Sequence, residues 1–366
     1  MSVVAAPVLS ALVERLRDAN ASRRALCLRG GGSKDFYGGP PRGDLLDLRG
    51  LDGAAEHEPT ELVVTAPAGM AVAALEAQLA EHGQGLAFEP PRFGPSTTVG
   101  GMVAAGLSGP ARVRAGSLRD HLLGVSLLSA GGELLHFGGR VIKNVAGYDV
   151  SRLVAGSLGI LGVIVEVSLK VLASAQSETT LRFDCKPGEA LALLHGWGAR
   201  PLPLDASAWW NGSLIVRLRG ASAAVAEAAR TLGGETIPPV AAAPFWESLR
   251  DHTDPFFVAA DDAIAHQDAT LWRLSLPQTA PLLGLAGDEL IEWHGAQRWL
   301  ATALPAAQVR TAAAAVGGHA TAFRSRDKSA GVFAPLTPPL RAIHQRLKRS
   351  FDPKGILNPG RLYPDL

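Results

Sequence analysis

Apolar residues in the first part of the chain fall at helical spacing in some segments and in short strand-like runs in others. Val8, Leu12 and Leu16 lie on one side of a helical wheel and predict an amphipathic helix near the N-terminus. Short apolar runs that end at glycine, proline or charged residues predict strands. In this part, the predicted strands cover residues 25–28, 45–48 and 61–66.

The middle of the chain continues this mixed pattern among many glycines. Helical spacing of apolar residues predicts one helix, and a run of small residues predicts a second, tightly packed one. Alternating apolar residues predict further strands, two of them joined as a hairpin. These elements are helices over 72–83 and 100–107, strands over 125–128 and 133–137 that flank Gly131-Gly132, and a strand over 163–171.

The pattern changes after Val171, where glycine becomes sparse and all seven tryptophans of the chain occur. A strand over 214–218 and an alanine-rich helix over 221–231 are typical of an α+β domain with an antiparallel sheet covered on one side. The tryptophans are interpreted mainly as core residues, with an exposed subset marking an interface.

The last thirty residues predict an amphipathic helix followed by an irregular tail. Thr337 is a plausible N-cap, with Pro338 at the first helical position. An apolar stripe predicts the buried side of this helix, and basic residues predict its polar faces. The stripe consists of Leu340, Ile343, Leu347 and Phe351, and the basic residues are Arg341, Arg346, Lys348 and Arg349.

Length and composition limit the functional classes. A chain of 366 residues is expected to form two domains, placed here at residues 1–174 and 175–330, with a tail over 331–366 that returns to the first domain. The net charge of +1 does not favour nucleic acid or an anionic membrane as partner. Two distant cysteines cannot hold an iron–sulfur cluster, and they predict a reducing, cytoplasmic environment.

The longest uncharged apolar run, residues 153–165, is too short to span a bilayer, which takes about 20 residues. We therefore expect no transmembrane segment.

Glycine is concentrated where a ligand would contact backbone. Residues 94–162 contain 15 of the 41 glycines, more than twice the density of the remaining chain. A second cluster, Arg29-Gly30-Gly31-Gly32-Ser33-Lys34, follows a predicted strand. Consecutive glycines allow backbone N–H groups to converge on a phosphate, although a plain tight turn explains the same residues. Two such clusters suit a long cofactor with a central pyrophosphate.

The segment from Pro95 to Gly106, in the larger glycine cluster, indicates a binding site more strongly than residues 29–34 do. Ser96, Thr97 and Thr98 offer hydroxyl groups, and Gly100 and Gly101 permit close approach to the start of a helix. Close helix packing through small residues is the alternative explanation.

Four segments in this order carry a resemblance to a known family. They are PSTTVGGMVAAG (95–106), GSLRDHLLGVSLL (116–128), KNVAGYDVSRLVAGSLGILGVIVEVSLKVL (143–172) and FDPKGILNPGR (351–361). The chain resembles the FAD-binding domain of the vanillyl-alcohol oxidase and p-cresol methylhydroxylase (PCMH) superfamily, over about residues 20–172 and 337–363. Within that superfamily it is similar to the FAD-binding subunits of bacterial glycolate oxidases.

The resemblance implies an α+β fold in which a PCMH-type domain of two subdomains holds FAD and a smaller α+β domain caps it. It also implies which residues contact the cofactor. These are Arg29, Gly30, Gly31, Gly32, Ser33, Lys34, Ser96, Thr97, Thr98, Gly100, Gly101, Ser117, Asp120, Gly156, Gly162, Val163, Ile164 and Asn358.

Two departures from the family pattern matter for function. Covalent members place a histidine in the first glycine loop, where this chain has Ser33, so we expect dissociable FAD. Hydroxy-acid-oxidising members carry an H-x-G-D-G-N-x-H motif whose histidines hold a metal beside the substrate, and this sequence lacks that spacing. We therefore expect no metal site, and the catalytic residues stay unknown. The histidines after residue 175 are interpreted as packing or surface residues.

Two polar groups have less specific interpretations. Lys143, Asn144, Tyr148 and Asp149 would form either a wall of the flavin site, as the resemblance suggests, or a hydrogen-bonded loop. The basic segment 324–328 is most simply explained as exposed to solvent. The more specific alternative is that it contacts a carboxylate or a partner protein.

The first functional hypothesis is an FAD subunit of a multi-subunit oxidase for glycolate or another small 2-hydroxy acid. Its expected partners are a second flavoprotein with the metal site and an iron–sulfur subunit. The expected location is the cytoplasm, with any peripheral contact to the inner membrane made through the complex. The alternatives are a stand-alone FAD-dependent dehydrogenase for 2-hydroxy acids or alcohols, and a structural subunit that has lost its flavin.

Overall fold

The computed structural model describes residues 4–140 and 148–366 and divides the chain into two compact units. The first contains residues 1–107, 117–174 and 335–366, and the second contains 108–116 and 175–334. Within the described residues, the helices are α1 (Ala6–Ser22), α2 (Val72–Ala80), α3 (Val99–Ala105), α4 (Arg112–Ala115), α5 (Leu118–His121), α6 (Ser151–Val154), α7 (Pro187–Gly198), α8 (Ser222–Leu232), α9 (Pro239–Asp251), α10 (Pro255–His266), α11 (Ala306–Ala315) and α12 (Pro338–Phe351).

The strands of the described residues follow in the same chain-order numbering. They are β1 (Leu26–Arg29), β2 (Asp44–Asp47), β3 (Glu56–Glu58), β4 (Val63–Pro67), β5 (Gln84–Gly85), β6 (Leu122–Leu128), β7 (Leu134–Gly138), β8 (Val163–Lys170), β9 (Leu172–Ala173), β10 (Ser177–Asp184), β11 (Leu204–Trp210), β12 (Ser213–Gly220), β13 (Glu235–Ile237), β14 (Thr270–Ser275), β15 (Asp288–Glu292), β16 (Gln297–Thr302) and β17 (His319–Arg324).

The first unit is built on a five-stranded antiparallel sheet in the order β3-β4-β8-β6-β7. The apolar residues of α1, α2 and α3 pack with this sheet in one hydrophobic core. Leu16, Leu75 and Leu79 are fully buried there, and each such leucine stabilises the fold by about 1.5–3 kcal/mol. A separate parallel pair, β1 and β2, places its first strand beside the tail through a bridge between Leu26 and Leu357.

The second unit is built on an eight-stranded antiparallel sheet in the order β13-β10-β12-β11-β15-β16-β14-β17. Six of the seven tryptophans are buried in this unit. Residues 108–116, which lie within the predicted first domain at 1–174, belong to this unit, where Trp293 contacts them. Its indole N–H donates to the carbonyl of Gly109 at 3.0 Å, and the guanidinium of Arg112 lies 4.5 Å from the centroid of its ring.

Helix α12 begins where the sequence predicted, with Thr337 at the N-cap, although the Thr337 side chain makes no capping hydrogen bond. The predicted apolar stripe is wrong in its N-terminal half, since Leu340 and Ile343 are 46% and 49% exposed. The residue of α12 that is buried is Lys348, predicted to lie on a polar face. Its ammonium donates to the carboxylate of Asp352 and to two backbone carbonyls, which makes its burial possible.

The predicted α+β class with antiparallel sheets is confirmed. Among the helices of residues 4–140 and 148–366, none combines the length and the apolar character needed to cross a bilayer.

Candidate cofactor site

A cavity in the first unit collects residues from six separate segments. They are the end of β1 with the loop that follows it, the residue after β2, the residue after β4, helix α3 with its N-cap, the turn before β8 with the start of β8, and the tail after α12. The cavity holds about 770 Å³ of unfilled space that opens to solvent. Its wall includes Leu28, Arg29, Gly30, Gly31, Gly32, Ser33, Lys34, Asp35, Leu48, Thr98, Gly100, Gly101, Ala104, Leu158, Gly159, Gly162, Ile164, Asn358 and Arg361.

The glycine loop after β1 presents unused backbone donors to this cavity. Within the described residues, no atom accepts a hydrogen bond from the backbone N–H of Gly31, Gly32 or Ser33. Gly32 has φ +75°, a left-handed conformation in which the chain curls and successive N–H groups converge. Three consecutive free donors on a half-buried wall form a nest suited to an anion such as phosphate.

The hydroxyl residues before α3 hold this nest in place. The Ser96 hydroxyl donates to the Gly31 carbonyl at 2.9 Å, and the hydroxyls of Thr97 and Ser33 are 2.7 Å apart. A Cβ atom on Gly31 would lie 1.5 Å from the backbone oxygen of Ser96. Gly31 is therefore required by the contact between the two loops. Ser96 and Thr97 support the wall and are not among the residues that line the cavity.

The start of α3 forms part of the cavity wall, but its first backbone N–H groups are already used in hydrogen bonds within the protein. Its first N–H groups donate within the protein, those of Val99 and Gly100 to backbone carbonyls and that of Gly101 to the Thr98 hydroxyl. A Cβ on Gly100 would lie 2.8 Å from the Cβ of Ala68, so this glycine permits close packing. At Gly101, which lines the cavity, a Cβ would approach nothing within 4 Å except the Thr98 hydroxyl.

Asn358 fastens the tail to two other walls of the cavity. Its side-chain carbonyl accepts from the backbone N–H of Leu28, and its amide nitrogen donates to the carbonyl of Leu158, both at 2.7 Å. Its own N–H donates to the carbonyl of Leu26. Asn358 has φ +44°, a conformation that asparagine tolerates better than most residues. The side chain therefore positions β1 and the turn at 158–159.

The charge of the wall is mainly positive. Arg29, Lys34 and Arg361 line it together with one carboxylate, Asp35, which pairs with Arg29 at 2.7 Å. Arg361 is buried, and its guanidinium donates to the backbone carbonyls of residues 35, 37 and 39. Burial lowers the pKa of Arg361 from its ordinary value. A desolvated guanidinium with only carbonyl acceptors favours an anionic ligand nearby.

Besides Ser96 and Thr97, four more predicted contact residues lie off the cavity wall. Ser117 and Asp120 form a capping box at the start of α5, where the Ser117 hydroxyl and backbone N–H both donate to the Asp120 carboxylate at 2.8 Å. Partial burial acts to raise the pKa of Asp120, but the Ser117 hydrogen bonds, together with the nearby Arg152 and His121, outweigh it and lower the pKa. Gly156 donates its N–H to the carbonyl of Val103, and Val163 is fully buried in the core.

The structure describes only part of the polar segment 143–149, which was predicted either as another wall of the flavin site or as a hydrogen-bonded loop. Lys143 and Asn144 lie outside the described residues. Tyr148 is 96% exposed, and the carboxylate of Asp149 accepts from the Ser151 hydroxyl and pairs with Arg152.

Several wall residues were not predicted from the sequence, most importantly Asp35, Gly159 and Arg361. Gly159 and Arg361 both belong to segments that carry the family resemblance, so the motif GSLGILG and the final arginine of NPGR were the available signals. A Cβ on Gly159 would lie 2.8 Å from the amide nitrogen of Asn358.

The residues present fit the FAD that the resemblance implies. The nest of free N–H groups and the positive wall suit the pyrophosphate, which is anionic. Apolar side chains on the same wall offer a surface for flat rings. They are Leu28, Leu48, Ala104, Leu158 and Ile164.

Comparisons with known proteins agree with this site. A family model for an FAD binding domain matches residues 2–138, and one for the C-terminal domain of FAD linked oxidases matches residues 326–362. Among solved structures, alkyldihydroxyacetonephosphate synthase covers 96% of this chain and 75% of its own with a TM-score of 0.66. Its sequence identity of 16% shows similarity of fold alone.

Sequence identity to named relatives shows to which family within the FAD-linked oxidases the chain belongs. The D-lactate dehydrogenase of Archaeoglobus fulgidus is 30% identical over 45% of this chain and 37% of its own length. The glycolate oxidase subunit GlcD of Bacillus subtilis is 29% identical over 49% of this chain and 38% of its own. The glycolate oxidase subunit GlcE of Escherichia coli is 43% identical over 97% of both chains. The chain therefore belongs to the GlcE family of FAD-binding oxidase subunits.

Proposed function

We propose that this chain is the FAD-binding subunit of a multi-subunit oxidase for glycolate or a related 2-hydroxy acid. The observation that carries the proposal is the nest of free N–H groups at residues 31–33, in a cavity completed by Asn358 and Arg361 of the tail. It occurs in a chain that matches a named glycolate oxidase subunit over almost its whole length.

The residues of the chain bind and orient the cofactor. The nest would donate hydrogen bonds to the pyrophosphate, and Lys34 and Arg361 would offset its negative charge. Asn358 keeps β1 and the turn at 158–159 in fixed positions, so that the wall is formed before binding. When bound, FAD supplies the redox chemistry, accepting and releasing electrons through its isoalloxazine ring.

The cofactor is held without a covalent bond. Ser33 stands where the covalent members of the superfamily place a histidine. Its hydroxyl lies 2.7 Å from that of Thr97 and serves to join the two loops.

Oxidation of the substrate is assigned to a partner flavoprotein. Removal of two electrons and two protons from a 2-hydroxy acid requires a group that takes the hydroxyl proton. The sequence lacks the H-x-G-D-G-N-x-H motif that serves this purpose in relatives. His252 stacks on Phe257 with ring centroids 3.7 Å apart, and His294 bonds to Ser207, so both have packing roles. An iron–sulfur subunit then receives the electrons.

The proposed location is the cytoplasm, with any contact to the inner membrane made through the partners. The near-neutral charge and the two widely spaced cysteines support it.

The test compares the isolated, flavin-loaded chain with the complex. The chain would be purified alone and co-expressed with the candidate metal-site flavoprotein and iron–sulfur protein of its own organism. We expect little glycolate-dependent dye reduction by the chain alone and restored reduction by the complex. Turnover by the chain alone at the rate of the complex would contradict the proposal and favour a stand-alone dehydrogenase.

A further inference from the structure

Helix α12 presents a face that the rest of the described chain leaves uncovered. Leu340 and Ile343 are about half exposed, and Arg346 and Arg349 are exposed. These four residues follow one another at intervals of three, and residues at this spacing are neighbours on a helix surface. They therefore form one oblique row, called here the α12 row, which winds about half a turn around the helix and has an aliphatic half and a basic half.

The basic half of the α12 row is not neutralised by the described part of the chain. The helix contains no acidic residue. Two of its other cations have carboxylate partners, Arg341 with Asp365 at 3.2 Å and Lys348 with Asp352 at 2.8 Å. Within residues 4–140 and 148–366, by contrast, no atom pairs with the guanidinium of Arg346 or Arg349.

We propose that the α12 row docks into a groove of a partner subunit that combines an apolar floor with carboxylates at one end. The apolar floor would cover Leu340 and Ile343, and the carboxylates would pair with Arg346 and Arg349. An amphipathic helix in a groove is a common recognition mode for such a face. The inference rests on the proposed function only for the identity of the partner, as another subunit of the oxidase.

The number and the type of the free cations on the α12 row favour a protein, and not a lipid surface, as its binding partner. Membrane recruitment by charge alone uses clusters of four to eight cations, about twice to four times the two that are free here. Two half-exposed aliphatic residues also offer a weak anchor. Both free cations are arginines, whose planar guanidinium pairs with a carboxylate through two hydrogen bonds and is enriched at protein interfaces.

The experiment uses the full chain, co-expressed with the candidate flavoprotein and iron–sulfur subunits. Two variants alter the α12 row: Arg346→Glu/Arg349→Glu reverses its charge, and Leu340→Ser/Ile343→Ser removes its aliphatic half. Matched controls on the same unit are Arg17→Glu, an exposed arginine on α1, and Leu45→Ser, an aliphatic residue that is 51% exposed. FAD content and the thermal midpoint of each isolated variant establish that it folds and binds cofactor.

We expect each α12 variant to weaken assembly at least tenfold, about 1.4 kcal/mol, and the controls to stay within twofold of the unmodified chain. The charge reversal should also reduce the salt dependence of assembly. Undiminished assembly of the α12 variants would overturn the proposal. So would retained assembly together with lost binding to phosphatidylglycerol vesicles, which would identify a membrane as the occupant.

The result also separates this inference from the proposed function. If the unmodified chain assembles with neither candidate subunit, both are overturned. If the complex forms through α12 and yet does not oxidise glycolate, the docking surface stands and the proposed substrate fails.

Discussion

The side-chain carbonyl of Asn358 accepts a hydrogen bond from the backbone N–H of Leu28 at 2.7 Å, across 330 positions of the sequence. Since the same side chain donates to the carbonyl of Leu158, one amide joins the tail, the strand before the glycine nest and the turn before β8. The geometry of the cavity thus depends on a residue whose side chain is already engaged within the protein.

We expect Asn358→Ala to lower both the free energy of unfolding and the affinity for FAD. The substitution leaves the Leu28 N–H and the Leu158 carbonyl without their partner, which costs about 1–3 kcal/mol for each buried group. Asn211→Ala is the matched control, because Asn211 has a similar φ of +47° in an exposed turn. Denaturant unfolding and FAD titration measure the two effects. Equal losses in both variants would show that backbone strain, and not the hydrogen bonds, explains the change.

Filling the cavity at Gly101 should remove the cofactor without unfolding the protein. A leucine at this position extends from a helix turn on the cavity wall, where little besides the Thr98 hydroxyl is near. Gly196→Leu places the same side chain on an exposed helical glycine with nothing within 4 Å. We expect Gly101→Leu to lower flavin occupancy at least tenfold, read from the visible absorbance of the purified chain. Full occupancy in Gly101→Leu would remove this part of the wall from the binding site.

Local sequence patterns predicted the elements well because helices and strands depend on neighbouring residues. The apolar runs at 125–128 and 133–137 are the paired strands β6 and β7, which meet at Leu128 and Leu134. The helix at 338 begins at its predicted proline. A glycine turn was also predicted after the strand at 25–28, and the close contact between Gly31 and Ser96 gives a structural reason for one of its glycines.

Features that depend on distant residues could not be predicted in the same way. Burial of Lys348 requires acceptors at residues 160, 352 and 357, which the fold alone brings together. Arg361 belongs to a motif that carries the resemblance, but its position on the cavity wall depends on hydrogen bonds to three backbone carbonyls more than 320 positions away. Residues 108–116 join the second unit through Trp293, and no local pattern in that segment indicates this contact.

The buried pair of Lys348 and Asp352 gives a further stability prediction. Lys348→Met leaves the Asp352 carboxylate buried without its cation, and breaking a buried pair in this way costs about 3–5 kcal/mol. Lys354→Met, which removes an exposed lysine of the same tail, is the control and should change stability by less than about 1 kcal/mol. Denaturant unfolding measures both. A loss below about 1 kcal/mol for Lys348→Met would show that the pair contributes little.

Acid precipitation should release the flavin into the supernatant. The position that carries a linking histidine in covalent relatives is Ser33, which hydrogen-bonds to Thr97. We expect the supernatant to contain the yellow colour and the protein pellet to be colourless. Yellow pellets after repeated washing would show a covalent bond, and mass spectrometry of the digested chain would then locate it.

His294 should make the second unit less stable in mild acid. Its burial lowers the pKa to about 4, from an ordinary value of 6.5. The backbone N–H of His294 donates to the Ser207 hydroxyl, which in turn lies 2.8 Å from the imidazole Nδ1. The Ser207 hydroxyl can donate to or accept from Nδ1, so this hydrogen bond is compatible with the neutral ring that burial favours.

The sign of the pH effect follows from these two pKa values. Between about pH 6.5 and pH 4 the unfolded chain binds the His294 proton and the folded chain does not, so the free energy of unfolding falls as the pH drops. The loss attributable to His294 is about 3 kcal/mol at most, and it is absent above pH 6.5. Unfolding of the second unit would be followed by tryptophan fluorescence across this range. His294→Asn should flatten the slope, leaving a part due to His252 and His319, whose pKa values burial also lowers. His266→Asn, at an imidazole that is 72% exposed, should keep the full slope. An unchanged slope in His294→Asn would assign the acid sensitivity to other residues.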